Sequence, residues 1–218
     1  MNTSMPHLNS IKAVIFDCDG VMFDSFEANA AYYNHLLERF GLPLLNEVER
    51  VYVHIHTVFE CVDYVFKNRG DKGRKKLQEA LVVLREVDYS LFLHHMVIEP
   101  HLRKTLAILR SSHLTAVATN RTTTMPLILK QFQLDELFDM VVTALDVEHP
   151  KPHPESLLKI LYEFDLNPDE AVYIGDSNVD QIAADSAGVP FFSYRNPSLK
   201  ASLHIASLDE LKFLTARH

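Results

Sequence analysis

Short apolar runs alternate with helical patterns over much of this chain. Val14–Phe16, Thr115–Thr119, Met140–Thr143, Val172–Gly175 and Pro190–Tyr194 are compact hydrophobic stretches of strand length. Between them, apolar residues recur at helical spacing: Leu102, Leu106 and Leu109, then Leu127, Ile128 and Phe132. Leu157, Leu158, Leu161 and Phe164 follow, then Val179, Ile182, Ala183 and Ala187. Pro152 and Pro154 suit the start of the third helix, and Gly188 suits a left-handed stop after the fourth. Alternating strands and helices predict an α/β fold with a doubly wound, mainly parallel sheet. In such sheets ligands sit at the carboxyl ends of the strands.

Residues 24–97 break this alternation. Phe26, Ala30, Tyr33, Leu37 and Phe40 have helical spacing, as do Val58, Val62, Val65 and Phe66, and then Leu77, Leu81 and Leu84. Gly70-Asp71-Lys72-Gly73 reads as a break between helices. The pattern predicts an all-helical insert over 24–97, with the α/β unit made from 1–23 and 98–218. The linkers fall near residues 21–25 and 95–100.

Composition narrows the class. At 218 residues, with 47% hydrophobic and 23% charged residues, the chain can bury a core and a small insert. A net charge of −8 argues against a nucleic-acid or polybasic membrane partner. No apolar run approaches a membrane span, residues 1–10 lack the pattern of a leader, and a monomer is the default expectation. Two cysteines, Cys18 and Cys61, make no disulfide framework and fit a cytoplasmic setting.

The candidate chemistry lies at the strand ends. Asp17-Cys18-Asp19-Gly20 follows the first strand. Extended backbone puts Asp17 and Asp19 on one side, with Cys18 facing away. Two carboxylates ~4 Å apart repel by about 4 kcal/mol at an effective dielectric of ~20. A fold that tolerates such a pair supplies a cation, shares a proton or uses the pair in chemistry. Thr119-Asn120 closes the second strand, Lys151-Pro152-His153-Pro154 opens a helix, and Gly175-Asp176-Ser177-Asn178-Val179-Asp180 closes a later strand.

These four motifs, in this order, resemble those of the haloacid dehalogenase (HAD) superfamily, and most closely its phosphoglycolate phosphatase and β-phosphoglucomutase-like group. The resemblance covers the core; residues 26–97 match only in general character. It implies a Rossmann-like core with a mobile helical cap, and a Mg2+-dependent phosphatase acting on a small phosphorylated metabolite through an aspartyl-phosphate. Asp17 would be the nucleophile, and Asp19 the acid and base for the leaving group and water. Thr119, Asn120 and Lys151 would bind the phosphoryl group, Lys151 also serving the nucleophile. Asp17, the Asp19 carbonyl and Asp176 would hold the metal. Asp180 is open between metal contact and anchoring Lys151 or the helix start. Arg121 reads more readily as a solvated side chain.

Asp19 counts against the dehalogenase branch, which lacks an aspartate there. A β-phosphoglucomutase-like phosphotransferase is disfavoured because residues 42–69 contain no glycine. A non-catalytic binding or regulatory protein on the same fold is the alternative from another class. The spacing of His54 and His56 would suit a metal only in extended backbone, and no third ligand sits at telling spacing. Residues 42–97 match no pattern that names a substrate.

Overall fold

A computed structural model describes residues 10–215; the reading of residues 1–10 as leaderless thus falls almost wholly outside the described residues. The chain divides into two compact units, Asp24–Val97 and the segments on either side of it. The division falls at two short strands, β2 (Phe23–Asp24) and β3 (Val97–Ile98).

The larger unit is a six-stranded, all-parallel sheet in the order β5-β4-β1-β6-β7-β8. Its strands are β1 (Ala13–Phe16), β4 (Leu114–Ala118), β5 (Met140–Val142), β6 (Ala171–Gly175), β7 (Phe191–Tyr194) and β8 (Leu203–Ile205). The crossovers carry α5 (Leu102–Leu109), α6 (Thr124–Gln131), α7 (Glu155–Glu163) and α8 (Asn178–Ala187). Strands covered on both faces read as continuous apolar runs, and β1 and β6 are buried throughout. Ala13, Ile15, Ala116, Ala118 and Tyr173 share one core cluster with Leu157, Ile160 and Leu161 of α7 and Ala183, Ala184 and Ala187 of α8. Strand β8 was not expected, because three residues at a sheet edge are too short to set up a period. Gly188 ends α8 with φ +71°, as its position suggested.

The smaller unit holds α1 (Phe26–Arg39), α2 (Glu47–Ile55), α3 (Val58–Lys67) and α4 (Gly70–Val83), followed by 3-10 turns at Leu84–Glu86 and Tyr89–His95. Helix α2 was missed by periodicity, yet its start was written in the sequence. Asn46 and Glu49 form a reciprocal capping box, as Thr57 and Glu60 do for α3. Gly73 does not break a helix but lies inside α4. A Cβ there would come within 2.0 Å of the Phe66 carbonyl oxygen, so the glycine permits close packing on α3. Among the described residues, no helix is long and apolar enough to cross a membrane.

Candidate active site

Parallel pairing gathers the motifs. Phe16 is in register with Val117 on β4 and with Ile174 on β6, so Asp17, Thr119 and Asp176 all leave the sheet at the same end. The Asp17 N–H extends the ladder by donating to the Ile174 carbonyl at 2.9 Å, and the Thr119 N–H donates to the Val142 carbonyl at 3.0 Å.

Two glycines let the carboxylates approach. Gly20 sits at φ +80°, and a Cβ there would lie 2.0 Å from Asp176 Oδ2. A Cβ on Gly175 would lie 2.4 Å from the Asp180 Cβ. Oxygens of Asp17, Asp176 and Asp180 come within 4.8 Å of one another, and among the described residues this is the only such group of potential metal ligands. The histidines are elsewhere: His54 lies in α2 with its Nδ1 3.5 Å from Asn29 Nδ2, and His56 stacks on Tyr52.

Lys151 organises the centre. Its ammonium has three donors. They go to Asp17 Oδ1 at 2.7 Å, Asp180 Oδ1 at 2.7 Å and the Tyr173 hydroxyl at 2.8 Å. Tyr173 Oη also lies 2.7 Å from Asp180 Oδ1 and 3.2 Å from the Ala118 carbonyl. Asp180 Oδ2 accepts from the Ser177 N–H at 3.1 Å and the Ser177 hydroxyl at 2.5 Å. The roughly four acceptor sites of a carboxylate are therefore all engaged at Asp180.

The charge in this cluster is unbalanced. Asp17, Asp19, Asp176 and Asp180 face two cations, Lys151 and Arg121. Burial and the Asp180 charge raise Asp17 to about 7, against the pull of Lys151. Burial and the charges of Asp180 and Asp17 raise Asp176 to about 8. Burial would also raise Asp180, but the Lys151 ammonium and the hydrogen bonds from Lys151, Ser177 and Tyr173 hold it low. Burial would lower Lys151, yet Asp17 and Asp180 together raise it.

The remaining motif residues divide between reaching inward and bracing. Buried Thr119 accepts the Arg121 N–H at 3.1 Å through Oγ1, a bond that does not use its own O–H. It does not cap α6, whose N-cap position is Thr123. Asn120 Nδ2 donates to the Lys151 carbonyl at 2.9 Å, so this side chain ties two loops together. Arg121 is not solvated: it is 9% exposed, and Nη2 donates to Asp19 Oδ1 at 2.5 Å. Its polarity alone suggested the surface; only the meeting of two strand ends supplies a buried carboxylate partner.

Sequence reasoning also passed over Tyr173 and Asn196. A tyrosine inside a strand buried on both faces was a usable signal, because a buried phenol needs a partner. Asn196 Nδ2 donates to the Asp176 carbonyl at 2.7 Å, from a loop with no sequence mark of that role.

The family model for haloacid dehalogenase-like hydrolases matches residues 14–193, which include all four motifs. The chain belongs to this family. It is 31% identical over 186 residues to pyrophosphatase PpaX of Bacillus thuringiensis, covering 82% of this chain and 80% of that protein. A HAD-superfamily hydrolase of subfamily IA from Geobacter sulfurreducens is 40% identical, with a TM-score of 0.81 over 94% of this chain and 99% of that one. A predicted phosphoglycolate phosphatase from Haemophilus somnus shares the fold at 23% identity, with a TM-score of 0.76 over 95% of this chain and 99% of that one. The protein is thus an enzyme, a HAD-type hydrolase, and the curated relative that it matches over most of its length is named as a pyrophosphatase. HAD enzymes generally use a divalent metal, and the acidic cluster of Asp17, Asp176 and Asp180, which Gly20 lets close up by admitting the Asp176 carboxylate, suits one here.

Proposed function

We propose that this HAD hydrolase is a Mg2+-dependent phosphatase that forms an aspartyl-phosphate on Asp17. The observation that carries the reading is the buried Asp17–Lys151 pair at 2.7 Å, set beside Asp176 at the strand ends. Asp17 attacks phosphorus, forming an O–P bond as the ester or anhydride bond breaks. Asp19, ion-paired to Arg121 in the structure, would first take up a proton from solvent, give it to the leaving oxygen, and regain one from the water that cleaves the acyl-phosphate. Lys151 spends its donors on Asp17, Asp180 and Tyr173, so it orients the nucleophile and contributes charge to the phosphoryl site. Thr119 offers its O–H to a phosphoryl oxygen.

Asp17, the Asp19 carbonyl and Asp176 would hold Mg2+, a small ion that favours oxygen ligands and uses few carboxylates. Bound there, the ion offsets carboxylate repulsion and the charge of the transferring group. Asp180, whose acceptor sites are engaged, acts as the anchor of Lys151. By the family resemblance the helical unit Asp24–Val97 would serve as the family's cap, with specificity set by its side chains. Pyrophosphate and small phosphomonoesters such as phosphoglycolate head the substrate panel, because the similar proteins are named for them.

The test is phosphate release from that panel with and without Mg2+, beside Asp17→Asn. Metal-dependent release that vanishes in the variant is the expected result. No release from any substrate, or release that survives in Asp17→Asn, would overturn the reading.

A further inference from the structure

We propose that Arg121 recognises a second negative charge on the substrate's leaving group, and so selects phosphorylated compounds that carry another anion close to the scissile bond. The inference rests on the proposed role of Asp19 as the group that protonates the leaving oxygen.

Arg121 is braced on several sides. Its N–H donates to Thr119 Oγ1 at 3.1 Å, and Nη1 donates to Thr124 Oγ1 at 3.3 Å, in the first turn of α6. Nη2 donates to Asp19 Oδ1 at 2.5 Å. The side chains of both partners are largely buried, at 7% and 13% exposure. The backbone bond fixes the loop, and the guanidinium itself is held by Thr124 and by one carboxylate oxygen of Asp19.

This contact locates it relative to the reaction. A proton donor must come within about 3 Å of the oxygen it protonates. The leaving oxygen thus sits against the Asp19 carboxylate, and the guanidinium adjoins whatever that oxygen carries. A neutral leaving group brings this cation no charge beyond that of Asp19. A carboxylate or a second phosphoryl group gives it oxygens spaced for paired N–H donors. Lys151 cannot take this part, because its three bonds go to Asp17, Asp180 and Tyr173 on the nucleophile's side. A buried guanidinium also keeps an anion beside it at all times, since a buried cation without a partner is strongly disfavoured. Asp19 fills that place in the structure, and an anionic leaving group would share it during turnover.

The decisive comparison uses 2-phosphoglycolate and its carboxamide, which differ in one charge at nearly constant shape. Wild type should favour the carboxylate in kcat/KM by roughly 10- to 100-fold, the worth of a charge-assisted hydrogen bond. Arg121→Gln should remove the preference mainly through KM on the carboxylate, and Arg121→Lys should restore part of it. Equal loss on both compounds, or a wild type indifferent to the charge, would overturn the inference and leave Arg121 as a brace for Asp19. Calorimetric binding of the two compounds to Asp17→Asn, with and without the Arg121 changes, reads the same preference without turnover. Absence of phosphate release would thus strike the hydrolase reading, whereas loss of the binding preference would strike this one. If Arg121→Gln does not fold, Arg121→Lys carries the test: an undiminished preference for the charged compound would support recognition by charge alone, and no preference would refute it.

Discussion

Each unit of the molecule buries an ion-paired cluster, and the two clusters are finished differently. In the helical unit Arg69 has five N–H donors and uses them on Glu49 and on the carbonyls of Pro43, Leu44 and Val65. Glu49 takes further bonds from the Asn46 N–H at 3.0 Å and Asn68 Nδ2 at 3.2 Å. Burial would raise Glu49, but these bonds hold it below the usual carboxylate range. One cation meets one anion, and the cluster pins the loop before α2 to the end of α3. In the α/β unit, four carboxylates meet two cations, and Asp17 and Asp176 are pushed toward neutrality. The paired side chains of both clusters are largely shielded from solvent, the α/β ones set more deeply in the protein, and it is leftover charge that sets the α/β cluster apart. A buried cluster that closes on itself holds a fold together. One that does not close is destabilised until a ligand completes it, which is the mark of a site.

The largest effect expected from this contrast is at Asp17. Asp17→Asn should lower phosphate release by about 10³-fold or more if, as proposed, Asp17 is the nucleophile and the change closes the covalent route. A steady-state assay at saturating Mg2+ checks it, and a loss under about tenfold would dissolve the distinction between the clusters.

Arg69→Ala probes the other side. It leaves Glu49 buried without its cation and should cost about 3–5 kcal/mol of stability. Chemical denaturation measures this, and a midpoint close to wild type would show that the helical cluster is no brace.

The unfinished charge also predicts a pH dependence. An unfolded aspartate titrates near ~4, whereas burial and neighbouring carboxylates push Asp17 up to about 7 and Asp176 up to about 8. Between these ranges the folded state binds more protons than the unfolded chain. Metal-free stability should therefore fall as pH rises from about 5 to about 8. Mg2+ should raise the melting temperature more at pH 8 than at pH 5. Asp176→Asn should be more stable than wild type at pH 8 without metal, and should respond less to Mg2+. A metal-free melting temperature that climbs over this range would contradict the charge account.

The smallest effect is expected at Tyr173. Tyr173→Phe keeps the ring and deletes one hydroxyl from the Lys151 network, so roughly a tenfold drop in turnover is expected, about 1.4 kcal/mol. Thermal denaturation alongside kinetics would separate this from a loss of packing.

How much of this was legible beforehand differs by residue. That Asp17, Thr119 and Asp176 gather at one edge could be read from motifs closing apolar runs, because parallel strands deliver their ends together; Lys151 opens a helix instead, and its part was implied by the family resemblance. Helix α2 carried a signal in Asn46 and Glu49 that periodicity overlooked. Gly73 was misread because a glycine at a break and a glycine at a close helix contact look alike in sequence. Arg121 was misjudged because an arginine's burial depends on which carboxylate it meets.

The sequence by itself determined the parallel α/β order, the helical character of residues 24–97 and the acidic identity of the site, since these follow from local period and residue type. Only the tertiary structure decided which charges pair. Asp180 became the anchor point of Lys151, Tyr173 joined the network of Asp17 and Lys151, and Arg121 turned inward to Asp19. Those contacts join residues 7 to 102 positions apart. Partner choice over such separations depends on strand register and on the burial that makes an unpaired charge intolerable, and no local pattern encodes either.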